Sequence, residues 1–361
     1  MRAPAAGTCR VGVVGVTGAV GKEMIDVMMR RGWVPKQLVA FASERSAGGK
    51  VTVAGKEFEV QAFSLEAARE LDVVFLAVSG EFATEFGKQI AAGGAIVVDN
   101  SSAFRYDDDV PLVVPEVNGD VLTKEHRLIA NPNCTTAIAV MALHPLHQSF
   151  GLKKVIVSTY QAASGAGVQG MDELLAQTRQ ALDDDSAKLV PKVFAHPLAF
   201  NLIPQIDKFM DNGYTKEEMK VVWETRKILR LPDVAVSCTA VRIPILRAHS
   251  EAITIETERK VTAEEARAVL AKAVGVKLAD APAKNLYPMP LTATRADDVE
   301  VGRVRQNLVF GDCGLDFFVS GDQLLRGAAL NAVLIAEVAW ALRVAPPTAT
   351  ESPAGKKARA S

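Results

Sequence analysis

Apolar residues run along this chain in two rhythms, and the change between them falls near residue 134. Residues 9–14 (Cys-Arg-Val-Gly-Val-Val) read as a short buried strand, followed by Gly15-Val-Thr-Gly-Ala-Val-Gly21. Lys22 to Arg31 then sets Met24, Ile25, Val27 and Met28 at helical spacing. Leu38 to Ala42, Val73 to Val78 and Ala95 to Asp99 are unbroken apolar runs, as parallel strands buried on both faces require. Helical stretches lie between them, around 65–70 and 82–92. Such alternation predicts an α/β domain opening with a dinucleotide-type βαβ unit.

Beyond Cys134 the pattern shifts. Thr135 to Leu143 predicts a helix ended by His144-Pro145. Alternating β-branched segments at 154–160, 234–243, 252–258 and 316–319 read as strands, with helices at 168–182, 215–229 and 262–272. This predicts an α+β domain with a mixed sheet. Asp322 to Arg343 reads as one long Ala/Leu-rich helix. The pattern divides the chain into a Rossmann-type α/β domain over 1–133, an α+β domain over 134–321, a helix over 322–345, and a disordered tail over 346–361.

Composition narrows the function. With 49% hydrophobic and 23% charged residues the chain has ordinary globular usage, and its 361 residues fit two domains. A formal net charge of −1 argues against a general nucleic-acid binder or a membrane-surface protein. No uninterrupted apolar run approaches the ~20 residues of a membrane span. The first residues, Met1-Arg-Ala-Pro-Ala-Ala-Gly-Thr8, lack the apolar core of a signal peptide, so a cytoplasmic address is expected. Cys9, Cys134, Cys238 and Cys313 are widely spaced with no CxxC pair, which indicates neither a disulfide framework nor a metal site.

Two stretches carry chemistry. Gly15, Gly18 and Gly21, between strand and helix, suit close approach of a pyrophosphate to a helix start. After the second strand come Ser43, Glu44, Arg45 and Ser46; Arg45 with the two serine hydroxyls suits a ribose 2′-phosphate and favours NADP over NAD. In Asn131-Pro132-Asn133-Cys134-Thr135-Thr136, Pro132 keeps Asn131 out of the helix and Asn133 is a good N-cap. Cys134 then lies in the first helical turn, where partial positive charge favours a thiolate. A thiol acting on a carbonyl needs an acid–base partner. Of five histidines, His249 lies after a strand beside an arginine and a carboxylate, and spacing alone makes it only the best of the five.

Together these segments resemble the aspartate-β-semialdehyde dehydrogenase family over nearly the whole chain. The resemblance rests on Gly15–Gly21, Ala42–Gly48, Asp99–Arg105, Asn131–Thr136, Gln161–Gly167, Glu224–Lys227, Arg242–Glu251 and Gly327–Asn331, all in the family's order. It implies NADPH-dependent reductive dephosphorylation of L-aspartyl-4-phosphate to aspartate semialdehyde and phosphate, serving lysine, diaminopimelate, threonine and methionine biosynthesis. It also implies Cys134 as nucleophile, His249 as acid–base residue, and Gln161 orienting the reacting group. By the same resemblance Arg242 binds the substrate carboxylate, Glu224 its ammonium, and Arg105 and Lys227 the phosphate. The cofactor is expected on Gly15, Thr17, Gly18, Ala19 and Val20, with Ser43, Arg45 and Ser46 at the 2′-phosphate and Ser164, Gly165 and Asn331 near the nicotinamide. The resemblance also implies that 1–133 binds NADP and is completed by the returning helix 322–345, and that 134–321 is the catalytic and dimerisation domain of a homodimer, with a tetramer as the alternative. The nearest other reading is an N-acetyl-γ-glutamyl-phosphate reductase, although the chain has Asn-Pro-Asn-Cys where those enzymes have Asn-Pro-Gly-Cys. A non-catalytic NADP-binding sensor is the second. Arg247, beside the His249 loop, has no role in any of these readings.

Overall fold

The computed structural model describes residues 1–184 and 186–345, so the expected tail at 346–361 lies outside the described residues. Its first sheet holds β1 (Arg10–Val14), β2 (Gln37–Ala42), β3 (Lys50–Val53), β4 (Lys56–Ala62), β5 (Val73–Leu76), β6 (Ile96–Asp99) and β7 (Leu128–Ala130). Their order is β3-β4-β2-β1-β5-β6-β7, parallel except for β3, which pairs antiparallel with β4. This is the Rossmann strand order with a hairpin added at one edge. The strand order reverses between β1 and β5, where such folds bind dinucleotides. The helix Ala19–Arg30 buries Met24, Ile25, Val27 and Met28, the stripe legible in the sequence.

The second sheet contains β8 (Leu152–Gln161), β9 (Ala235–Arg242), β10 (His249–Thr257), β11 (Val276–Leu278), β12 (Val299–Gln306) and β13 (Gly314–Gly321), in the order β11-β12-β13-β10-β8-β9. Parallel and antiparallel pairs mix, as expected. Short or polar strands escaped the pattern: β3, β4, β7, β11 and β12 carry too few apolar positions or alternate with charge.

Two helices differ from expectation. The nucleophile helix runs Cys134–Phe150, straight through Pro145, and stops at Gly151 with φ +72°. Ten of its residues are buried, and this packing outweighs the roughly 3 kcal/mol that an interior proline costs. The 322–343 segment opens as a π-helical turn, Leu325–Ala329, before the α-helix Leu330–Val344. By length and a mean hydropathy of 1.5, Leu325–Val344 is long and apolar enough to span a membrane, although Arg326, Asn331, Glu337 and Arg343 interrupt its apolar run, as the sequence reading has it. Here it is two-thirds buried, packs with the Ala19–Arg30 helix and β1 in one core, and carries Glu337 in an ion pair with Arg31.

Candidate active site

The nucleotide end is shaped by backbone contacts. Gly15 has φ +88°, and a Cβ there would fall 2.1 Å from the Ala77 carbonyl oxygen. A Cβ on Gly21 would meet the Gly15 oxygen at 2.4 Å. Only glycine allows strand, turn and helix to close this tightly. Gly18 caps the helix without any side-chain bond, leaving its first N–H groups to an anion. Thr17 and Gly18 are exposed, Ala19 and Val20 half-buried. At the end of β2, Ser43 and Arg45 stand exposed and Ser46 is half-buried.

A cleft of about 280 Å³ lies between this turn and the second sheet, lined among others by Val20, Arg105, Cys134, Gln161, Arg242 and Gly327. Asn133 caps the nucleophile helix as expected; its Oδ1 accepts the Thr135 and Thr136 N–H groups at 3.0 and 3.2 Å. Cys134 is the first helical residue and partly open to the cleft. Gly327, in the π-turn, sits directly behind it: a Cβ at 327 would lie 2.6 Å from the cysteine Cβ. The expected lowering of the thiol is reversed. Burial first, and then the Glu217 carboxylate, push Cys134 up to about 12, against the opposing pull of Arg242 and Arg105. The two N–H groups that would favour a thiolate are taken by the Asn133 cap.

His249 begins β10, fully buried, and its Nδ1 accepts the Ala162 N–H at 3.0 Å. Burial, then Arg242, hold it at about 3, so it is neutral near pH 7. That backbone bond places the one proton on Nε2. His249 therefore presents an N–H donor beside Gln161 rather than a vacant base. Gln161 is fixed by Thr159, which donates to its Oε1 at 3.1 Å, and by its own Nε2, which donates to Glu217 Oε1 at 3.1 Å. Arg242 is buried; among the described residues its one side-chain hydrogen bond runs from Nη1 to the Ala162 carbonyl, and burial lowers its pKa. Gly165 lets the chain cross both groups, since a Cβ there would be 2.7 Å from Arg242 Nη1 and 3.4 Å from the His249 ring.

Glu224 and Lys227 do not reach the cleft. Glu224 is wholly buried behind it, accepting from Arg105 Nη1 at 3.1 Å and from the Asn133 N–H at 2.6 Å. Lys227 Nζ donates to the carbonyls of Arg105, Asp107 and Val110. Glu217 and Lys220 line the cleft instead, two turns earlier on the same helix, Lys216–Leu229. Residues seven apart share a helix face, so both Glu-x-x-Lys pairs point the same way, ~10 Å apart along the axis, and only the first reaches Cys134. Glu217 Oε1 accepts from Asn133 Nδ2 and Gln161 Nε2, Oε2 from Lys220 at 3.0 Å, and these contacts hold it down at about 2 despite burial. The duplicated spacing was visible in the sequence; which copy faces the cysteine was not. Arg105 does line the cleft, with a buried and unpartnered Nε. Ser164 and Gly165 line it too, whereas Asn331 lies behind, donating to Val113 O and Asn131 Oδ1 with its own Oδ1 unpartnered.

A dinucleotide-type sheet joined to a mixed sheet, with cysteine, histidine and arginine converging between them, defines a semialdehyde-dehydrogenase class of enzyme. Residues 10–125 match the family model described as semialdehyde dehydrogenase, NAD binding domain, and 143–326 the one described as semialdehyde dehydrogenase, dimerisation domain. An aspartate-semialdehyde dehydrogenase of Aquifex aeolicus is 46% identical over 334 residues, covering 91% of this chain and 97% of that protein. The solved structure of aspartate semialdehyde dehydrogenase II from Vibrio cholerae, complexed with ASA, superposes with a TM-score of 0.86 at 39% identity, over 91% of this chain and 97% of that one. That of the Candida albicans enzyme with NADP gives 0.70 at 25% identity, over 92% and 99%. The chain belongs to the aspartate-semialdehyde dehydrogenase family.

Proposed function

We propose that the chain reduces L-aspartyl-4-phosphate to L-aspartate 4-semialdehyde and phosphate with NADPH, through a thioester on Cys134, in the biosynthesis of lysine, threonine and methionine. The observation that carries this reading is the match between the cleft's charges and the substrate's three charged groups. Arg242, buried with no carboxylate partner among the described residues, suits the α-carboxylate. Glu217 suits the ammonium. Arg105, with its unpartnered Nε, and Lys220 suit the phosphate.

An ammonium brought to Glu217 offsets the charge that raises the Cys134 thiol, so the substrate itself favours the nucleophile. Attack forms the S–C bond and breaks the C–O bond to phosphate, which leaves with the thiol proton and whose charge Arg105 and Lys220 receive. Gln161, locked by Thr159 and Glu217, holds the acyl group without adding charge. NADPH, when bound, supplies the hydride. The His249 Nε2–H then hydrogen-bonds the oxyanion on the cysteine-bound carbon; as its C=O forms the C–S bond breaks, the aldehyde leaves, and the electron pair returns to Cys134 as a thiolate that takes up a solvent proton. The glycine turn and the bare start of the Ala19–Arg30 helix fit a pyrophosphate, Arg45 with Ser43 and Ser46 fits the 2′-phosphate, and Ser164 and Gly165 line the cleft where the nicotinamide end would lie. The second domain, in this reading, forms a homodimer.

An N-acetylated glutamyl phosphate offers Glu217 no ammonium, which speaks against the reductase alternative. The test is absorbance of reduced nicotinamide with aspartate semialdehyde, phosphate and NADP. Phosphate-dependent reduction, lost in Cys134→Ala, is expected; no reduction by folded wild type would sink the reading.

A further inference from the structure

Arg247 has two carboxylate partners in different parts of the chain. Its Nε donates to Asp322 Oδ2 at 2.7 Å, and its Nη1 to Glu23 Oε1 at 2.5 Å. Glu23 lies in the helix that begins at the glycine turn, one turn beyond Ala19. Asp322 is fully buried and takes, besides Arg247, the N–H groups of Leu324 and Leu325 on Oδ1 and of Arg295 on Oδ2. It therefore anchors the entry to the π-turn that backs Cys134.

The residue between Arg247 and His249 is strained. Ala248 has φ +71°, is fully buried, and donates its N–H to Gln323 Oε1 at 2.7 Å. The Nε2 of Gln323 in turn donates to Ser164 Oγ, in the turn that lines the cleft. A left-handed backbone is strained for an alanine and not for a glycine. Such strain persists where surrounding contacts over-determine it, and here they come from the nucleotide-side helix, the π-turn entry and the Ser164 turn. The direction the backbone takes at 248 decides where β10 starts and how the His249 ring meets the Ala162 N–H.

We propose that Arg247 is a positioning residue: by tying Glu23 and Asp322 to the backbone before His249, it holds a strained Ala248 and sets the His249 N–H for catalysis from the nucleotide-binding side. This rests on the reaction proposed above, so each assay includes wild type. An inactive wild type contradicts that reaction; an active wild type with unchanged variants contradicts the positioning role alone.

Three variants test it with aspartyl phosphate and NADPH. Arg247→Ala should lower kcat on the order of 10- to 100-fold, the cost of a misplaced catalytic group, with KM and the NADP Kd within about threefold. Arg247→Lys, one point charge serving two partners, should recover only part of the loss. Ala248→Gly should raise the thermal midpoint while lowering kcat, a split that a purely structural role would not give. Arg247→Ala within about twofold of wild-type kcat, or Ala248→Gly with unchanged kcat, overturns the proposal. Should Arg247→Ala fail to fold, Glu23→Gln carries the same test: a lower kcat with unchanged NADP Kd supports it, an unchanged kcat overturns it.

Discussion

The helix Lys216–Leu229 holds two copies of one pattern, and they do opposite things. Glu217 and Lys220 face the cleft with substrate-matched charges; Glu224 and Lys227, two turns on, are spent on the protein itself. Both glutamates are buried and both accept from Asn133, one from its side chain and one from its backbone. The difference lies in what remains free. Glu217 sits at the cleft wall with Lys220 beside it, while Glu224 neutralises Arg105 and receives Tyr106 from behind. A charge pair on a helix is a site only where the fold leaves it something to bind.

Substitutions can break this contrast. Glu224→Ala should have the largest effect, leaving Arg105 buried and unpaired at a cost of about 3–5 kcal/mol, read by denaturant unfolding. Glu217→Gln keeps the acceptor for Asn133 and Gln161, so its loss should appear first in turnover: kcat/KM for aspartyl phosphate falls about 100-fold or more, with a stability loss from the broken Lys220 pair smaller than that at 224. If the unfolding loss is larger at 217 than at 224, the contrast is wrong. Next in size, Lys220→Met should raise KM for aspartyl phosphate about tenfold, and Lys227→Met should leave KM alone while costing about 1–3 kcal/mol of stability.

A smaller effect follows from His249. Its folded pKa is about 3, below the ordinary 6.5, so the unfolded chain binds the extra proton first. Stability should therefore fall as pH drops from about 6.5 towards 3 and be insensitive to this group above that window. His249→Asn should flatten the fall; an unchanged profile in that variant would contradict a buried neutral histidine. Smallest is a rate: Glu217→Gln removes the charge that raises Cys134, so alkylation of the free enzyme should quicken severalfold even as turnover drops.

Much of this was legible in the sequence because local physics dictated it. The glycine turn, the Ala19–Arg30 stripe and the Asn133 cap depend on neighbours within a few residues, and each appears where the pattern put it. Arg242, Gln161 and Arg105 also reach the cleft. The failures share a long-range cause. Pro145 inside the nucleophile helix is tolerated because the helix is buried by both sheets. The thiol at Cys134 rises because the fold buries it and brings Glu217 beside it from 83 residues away in sequence, neither of which a reading of the Asn-Pro-Asn-Cys segment could include. Arg247 lacked a role until Glu23 and Asp322, from opposite ends of the chain, appeared beside it.

The most direct test of the account is the covalent step. Enzyme mixed with aspartyl phosphate in the absence of NADPH, quenched in acid and digested, should carry an aspartyl adduct on the peptide containing Cys134, and NADPH added before the quench should discharge it. No adduct on a folded enzyme that is active with both substrates, or an adduct on Cys238 or Cys313, would contradict the central claim.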